Sequence, residues 1–344
     1  MKILVLTTSG FAPTHTPKLL AQIEYLNSFP DIDITIKKDL SLPDTEYYIM
    51  TNNYDCVYPT TVFEYSKNQK DILSFNKRLY QIMEYHHQAY IGSQLFVHML
   101  LNDKALTNYR SNMSLPSLLL TRGLWEKRQT DAMTYINTAP LPMIVKPNTL
   151  AASLGISKSS VAYSVEQARV IIEKQFREFP YVGELLLEKY LANAREFTVS
   201  VTGNGQNVLC STTALITRTQ EYEMFSYQNK NLNASQRTLE YTFHMPEHIR
   251  SSLKKNAIYL SRLLNVRDYS RYDFLMDENF QLYLIDANSL PALGSNYMLE
   301  YVQQQSIQEE QLLSLILTVF CKRIGYDYPK CTGKLPADIL EHIL

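Results

Sequence analysis

Arg271-Tyr272-Asp273 and Asp286-Ala287-Asn288 place one guanidinium, two carboxylates and an amide at the ends of two apolar runs. Carboxylate and amide oxygens are hard donors of the kind Mg²⁺ takes. Asp286 and Asn288 are two residues apart, so on an extended chain they share a face. Asp277-Glu278-Asn279 between the runs reads as the turn of a hairpin. Taken alone, the same residues are also an ordinary polar hairpin end.

Two more clusters carry chemistry. Ile144-Val145-Lys146-Pro147 runs into Asn148-Thr149-Leu150-Ala151-Ala152-Ser153-Leu154-Gly155, a buried strand ending in a cation and a loop of small residues. Such a junction offers an ammonium and backbone N–H groups to an anion, although a plain strand-to-turn junction has the same pattern. The other cluster is Glu184-Leu185-Leu186-Leu187-Glu188-Lys189-Tyr190-Leu191, leading to Arg195-Glu196-Phe197-Thr198-Val199. Its short exposed end could present main-chain donors and acceptors to a base, with Glu196 beside ribose hydroxyls; taken alone, a solvated face is the better reading.

The elements that must position these groups divide into three stretches. Residues 1–94 alternate strand and helix: a strand at Lys2–Thr7, alternation at Ile32, Ile34 and Ile36, helical spacing from Val62 to Tyr85, and a short strand Ala89-Tyr90-Ile91. This predicts a small parallel α/β domain. Residues 95–191 form a central lobe, with a helix near Gln94–Tyr109, strands at Ser117–Thr121 and Met143–Lys146, and a helix at Val165–Glu178. Residues 192–344 carry longer strands at Arg195–Thr202, Gln206–Thr217 and Tyr269–Met276, with Tyr283–Asp286 as a second hairpin arm. The polar stretch Thr217–Gln236 reads as a long functional loop.

Composition narrows the classes. With 33 Lys and Arg against 34 Asp and Glu, the net charge is −1, which excludes the basic excess of a nucleic-acid or membrane-surface binder. Cys56, Cys210, Cys321 and Cys331 are too dispersed for metal-ligand spacing, and reduced buried thiols are expected. The opening residues are too short an apolar run for a signal peptide, so a cytoplasmic protein is expected. Only 10 glycines occur, against 25 tyrosines, so any phosphate loop must manage with few glycines.

In order and spacing, these clusters resemble the ATP-grasp enzymes, most closely the D-alanine–D-alanine ligases. The resemblance spans about Ala89 to Glu300. It rests on Tyr90-Ile91-Gly92-Ser93, Asn102-Asp103-Lys104, Ile144-Val145-Lys146-Pro147, Leu187-Glu188-Lys189-Tyr190-Leu191, Arg195-Glu196-Phe197-Thr198-Val199, and Arg271-Tyr272-Asp273 through Asp286-Ala287-Asn288-Ser289-Leu290-Pro291. It implies an α/β ATP-grasp fold: an N-terminal parallel domain, a small central lobe and a mostly antiparallel C-terminal lobe, with ATP between the last two. By position Lys104 and Lys146 would hold phosphates, with Ser153 in the small-residue loop. Glu188, Lys189, Tyr190 and Leu191 would border the adenine, Glu196 would meet the ribose, and Lys230 matches a mobile-loop lysine. Asp273, Asp286 and Asn288 would carry two Mg²⁺ ions, with Mn²⁺ as a substitute, and Arg271 would face the reacting carboxyl as the catalytic residue. The implied reaction is ADP-forming amide synthesis from a small-molecule carboxylate and an amine through an acyl phosphate. Neither nucleic acid nor membrane is an expected partner, and the family admits a homodimer.

Departures concentrate on the substrate side. Where the family has an acid after the first strand, Thr8-Ser9-Gly10-Phe11-Ala12-Pro13-Thr14-His15-Thr16 offers only His15, and Asp55-Cys56-Val57-Tyr58-Pro59-Thr60 replaces a Gly-rich stretch carrying a His. Ala151-Ala152-Ser153 replaces Gly-Ser-Ser, Tyr297 beside Met298 stands where a serine holds the second substrate's carboxylate, and Asp286 replaces a glutamate. His15, Ala152, Tyr297 and Met298 are thus the candidate substrate positions, and substrates other than two D-alanines are expected. A genuine D-alanine–D-alanine ligase and a non-catalytic ATP-binding protein are the alternatives.

Overall fold

The computed structural model describes residues 1–7, 16–60, 63–65, 73–75, 77–150, 153–217, 239–293, 298–304 and 306–344. His15, Ala152, Lys230 and Tyr297 lie outside them, as does most of the Thr217–Gln236 stretch.

The N-terminal part contains β1 (Lys2–Thr7), α1 (Thr16–Asn27), β2 (Asp33–Lys38), α2 (Leu42–Asn52), β3 (Cys56–Pro59), the short pair β4 (Phe63–Tyr65) and β5 (Leu73–Phe75), and α3 (Lys77–Tyr85). The order β2-β1-β3 is parallel throughout. Ile3, Leu4 and Val5 are buried in succession, as expected of a strand covered on both faces. Two expectations change here. The helical spacing from Val62 to Tyr85 resolves into an antiparallel β4–β5 pair and a shorter helix; Phe63, Tyr65 and Phe75 are strand-favouring types, and pairing overrides the longer period. Ala89-Tyr90-Ile91 forms a single parallel bridge between Tyr90 and Val57 rather than a strand.

The central part contains α4 (Leu95–Asn102), α5 (Lys104–Ser111), β6 (Ser117–Thr121), α6 (Arg122–Lys127), α7 (Gln129–Ile136), β7 (Met143–Pro147), β8 (Val161–Ala162), α8 (Val165–Glu178) and β9 (Glu184–Lys189). Its antiparallel sheet has the order β6-β9-β7-β8. The helix expected over Gln94–Tyr109 is broken at Asp103. That residue turns to an extended conformation, and its side chain accepts the Leu106 N–H at 2.9 Å, capping α5.

The C-terminal part contains β10 (Arg195–Asn204), β11 (Asn207–Thr217), β12 (Leu239–Thr242), α9 (Glu247–Leu263), β13 (Tyr269–Met276), β14 (Leu282–Asn288), α10 (Leu299–Gln303), α11 (Leu312–Ile324) and α12 (Ala337–Ile343). The antiparallel sheet runs β12-β11-β10-β13-β14. One face packs Phe197, Val199, Val201, Tyr272 and Phe274 against Leu253, Ala257 and Leu260 of α9. Alternation therefore sends Thr198, Arg271 and Asp273 to the opposite face. The buried helix α11 supplies Leu313, Ile316, Leu317 and Phe320 to the core beneath the first sheet, tying the chain's two ends together.

No helix among the described residues is long and apolar enough to cross a membrane. All four cysteines are buried and free.

Candidate functional site

The hairpin face is built by register. Asp273 lies directly opposite Asp286 and Arg271 opposite Asn288, so the four side chains occupy adjacent positions across β13 and β14. The register shifts between Asp273 and Phe274: Phe274 pairs with Leu284 and Asp273 with Asp286, leaving Ile285 as the extra residue. This bulge decides the chemistry. Leu282 and Leu284 are buried in the core, and unbroken alternation would send Asp286 and Asn288 in after them. Instead Ala287 takes the next core position, and the two polar residues emerge beside Asp273.

Arg271 is held from its own strand. Its Nε and Nη2 donate to Oδ1 and Oδ2 of Asp273, both at 3.0 Å, and Asp286 lies 3.8 Å away. A bidentate guanidinium–carboxylate pair fixes orientation as well as charge. Thr198, opposite Asp273 on β10, donates to the same carboxylate at 2.9 Å. Asn288 Oδ1 accepts the Leu290 N–H at 2.9 Å, which shapes the exit from the hairpin.

The central part of the chain supplies the cations. Lys146 and Glu188 lie on one face of β7 and β9, and Lys146 Nζ donates to Glu188 Oε2 at 2.8 Å. Asn108 Nδ2 donates to the other oxygen at 3.1 Å, so the Glu188 carboxylate is committed inside the protein. Lys104 opens α5 with its ammonium on backbone carbonyls, Leu150 O at 2.6 Å and Asn148 O at 3.4 Å. Burial pulls its pKa below the ordinary lysine value; Asp286, Glu188 and Asp103 act against that and Lys146 adds to it. Asp286 and Lys146 thus both act on the Lys104 ammonium.

Asn148 ties this corner together. It is fully buried, with Nδ2 donating to Asp103 at 3.0 Å and Glu184 at 2.9 Å, while Oδ1 accepts the Ala105 N–H at 2.9 Å. A further tie runs from α4: His98 Nδ1 and the Ser289 hydroxyl lie 2.6 Å apart, anchoring the residue that follows Asn288. Neither role was visible in the sequence. The only trace was Asn148 following Pro147, and Asp103 next to Lys104.

The remaining candidates fall as follows. Ser153 sits in the small-residue loop with φ of 59°, a left-handed conformation unusual for serine. Lys189 is exposed and Tyr190 and Leu191 are half-buried; their N–H groups at 189 and 190 donate to Pro116 O and Pro142 O, holding the connection from β9 to β10. Glu196 is half-buried at the start of β10. Met298 is buried with Tyr301, Ile307 and Leu312. Gly92, with φ of 103°, brings its backbone against Leu290, where a Cβ would come within 3.0 Å of Leu290 Cδ1.

Among the described residues no group of three or more His, Cys, Asp and Glu side chains forms a metal cage. Two carboxylates and an amide on one face do fit Mg²⁺, which binds through one or two carboxylates when phosphates complete its shell. Lysine ammoniums together with hard oxygens holding Mg²⁺ can grip a polyphosphate.

Residues 113–318 match the family described as D-ala D-ala ligase C-terminus. The chain is 28% identical over 195 residues to a D-alanine–D-alanine ligase of Ligilactobacillus salivarius, covering 55% of this chain and 50% of that protein. It is 27% identical over 185 residues to the vancomycin C-type resistance protein VanC2 of Enterococcus casseliflavus, covering 53% and 49%. The matched region thus spans about half the length of these curated relatives. The fold is similar to that of D-alanine–D-alanine ligase from Bacillus anthracis, with a TM-score of 0.69 and 16% identity over 94% of this chain and 98% of that one. It is equally similar to the VanG D-Ala:D-Ser ligase from Enterococcus faecalis, at 0.69 and 14% over 93% and 99%. The ATP-grasp architecture is therefore that of this chain, which belongs to the D-alanine–D-alanine ligase C-terminus family.

Proposed function

We propose that this protein is an ATP- and Mg²⁺-dependent carboxylate–amine ligase that joins two small amino-acid-type substrates through an acyl phosphate, releasing ADP. The observation that carries this reading is the Arg271–Asp273–Asp286–Asn288 face, whose Asp286 acts on the buried Lys104 ammonium, with Lys146 acting on the same ammonium. Lys104 and Lys146 would balance phosphate charge, and the Glu188 partner of Lys146 would set the direction of its ammonium. Asp273, Asp286 and Asn288 would hold Mg²⁺, which offsets charge on the transferring phosphoryl group. Arg271, oriented by Asp273, would stabilise the oxyanion formed when the amine attacks.

The substrates differ, in this reading, from two D-alanines. The support is the chain's own sequence: no acid in residues 8–16, alanines at 151 and 152, and a tyrosine at 297. A large tyrosine ring in place of a small hydroxyl changes pocket volume as well as polarity. A second reading, a D-alanine–D-alanine ligase, is favoured by the names of the relatives.

Incubation with ATP, Mg²⁺ and pools of amino acids, with ADP and amide product followed together, tests both. Substrate-dependent ADP with an amide other than D-alanyl-D-alanine supports the proposal. ADP release with D-alanine alone, and with no other pool, overturns the substrate assignment and leaves the ligase class. No ADP from any pool, with ATP still bound, overturns the ligase class. Arg271→Ala should cut turnover roughly a hundredfold or more while leaving ATP binding intact.

A further inference from the structure

Away from the hairpin, a cavity of about 370 Å³ opens between the end of α3, the segment 88–94 and the residues just before β13. Its volume falls within the roughly 300–1,000 Å³ usual for small-ligand pockets. Glu84, His87, Gln88, Tyr90, Arg267 and Arg323 line it, and none belongs to the ATP or metal site.

The charges in this cavity are separated and not cancelled. Arg323 is neutralised, since Nε and Nη2 each donate to the fully buried Asp268 at 2.8 Å. Arg267 makes no ion pair among the described residues. Its guanidinium faces the Gln94 amide, whose oxygen, in the orientation that satisfies both groups, accepts from Nη1 and Nη2 at 3.2 Å. A neutral amide leaves the positive charge uncompensated and other N–H donors available. Glu84 likewise has no ion pair among the described residues; Oε1 accepts the Tyr90 hydroxyl and the Leu95 N–H, both at 2.9 Å. Burial pushes the Tyr90 phenol up, Glu84 adds to that, and Arg267 and then Arg323 oppose it, so Glu84 and Arg267 both act on the same ring.

A carboxylate and a guanidinium that flank one cavity without touching select a ligand carrying both opposite charges. A simple anion would be repelled by Glu84 and a simple cation by Arg267. We propose that this cavity binds a zwitterionic α-amino acid, its carboxylate on Arg267 and its ammonium on Glu84, at a site separate from the catalytic hairpin. Arg267 lies two residues before the strand that carries Arg271, and its N–H donates to Ser93 Oγ at 3.0 Å, which fixes the backbone beneath the guanidinium.

Calorimetric titration of the full chain without nucleotide tests this, with glycine, D-alanine and L-alanine as probes and acetate and methylammonium as single-charge controls. At least one amino acid should bind saturably, and each control roughly tenfold or more weakly. Arg267→Gln and Glu84→Gln should each lose roughly tenfold or more in amino-acid affinity. Glu84→Gln keeps an oxygen for Tyr90 and Leu95, so it remains informative if Arg267→Gln fails to fold. Both variants should still bind ATP, which separates this site from the nucleotide site whatever reaction the protein catalyses. Saturable binding unaffected by Glu84→Gln, acetate binding as tight as the amino acids, or no saturable binding would each overturn the proposal.

Discussion

Lys146 and Glu188 form a 2.8 Å salt bridge with side chains only 5% and 3% exposed, on adjacent strands of the central sheet. A buried pair of this kind adds little net stability but makes the loss of one partner expensive. Lys146→Met should therefore destabilise by about 3 kcal/mol, because the Glu188 carboxylate keeps only Asn108. Lys146→Met combined with Glu188→Leu should recover much of that loss in urea denaturation. ATP affinity should remain low in both, since the ammonium is gone. If the double variant binds ATP as the parent does, the pair is a folding element alone.

The bulge at Ile285 invites a test of face. Asp286, at 36% side-chain exposure, carries its charge at little structural risk. Asp286→Asn should leave the melting temperature nearly unchanged but raise the Mg²⁺ concentration needed for ATP binding about tenfold. Deleting Ile285 should preserve the face. Leu284 would then be followed directly by Asp286, still opposite Asp273, with Ala287 in the core, so a folded, Mg²⁺-responsive variant is expected. Loss of soluble folded protein on this deletion would contradict this account of the hairpin.

Burial holds the His98 imidazole down to about 3. The unfolded chain takes up this proton near pH 6.5, about three units before the folded protein does. The group has no effect on stability above that pH. As pH falls below about 6.5, stability drops by up to about 1.4 kcal/mol per unit until the folded imidazole titrates. Between about pH 7.5 and pH 5 the parent should thus lose about 2 kcal/mol that His98→Gln does not. Urea midpoints at the two pH values measure the difference; parallel losses in both proteins would show that His98 is not its source.

Glu300 gathers two cations and a strand edge. Its Oε1 takes Arg250 at 2.6 Å and Lys254 at 3.0 Å, while Oε2 takes the Thr212 N–H at 2.5 Å and hydroxyl at 2.8 Å. Burial pushes this carboxyl up, but the Thr212 and Lys254 contacts outweigh it and hold the pKa below the ordinary value of 4.5. Stability from this group is therefore present above the ordinary value and lost as pH falls through the folded pKa. Glu300→Gln should cost about 3 kcal/mol near neutral pH and flatten the acid limb of the stability profile. An unchanged acid limb would show that the cluster does not couple to folding.

The elements with strong periods were legible in the sequence. The strands at Lys2–Thr7, Ser117–Thr121 and Tyr269–Met276 and the helix at Val165–Glu178 need only local alternation or helical spacing, and those patterns survive folding. Where a weak helical period met strand-favouring aromatics, as at Phe63–Tyr65 and Leu73–Phe75, pairing with a distant segment decided the outcome. The residue types of the site were also legible, because a lysine ending an apolar strand or an Asp-x-Asn following one is a local fact. Partners were not. Lys146 with Glu188, Asp273 with Arg271 and Thr198, and Asn148 with Asp103 and Glu184 depend on sheet register and on one helix ending at Asp103. By itself the sequence determined that Asp286 and Asn288 share a face, since side chains alternate along any strand. Only the tertiary structure decided that this face also carries Asp273. Leu284 and Ala287 both fill the core, and three steps along a strand can return to one face only through an extra residue.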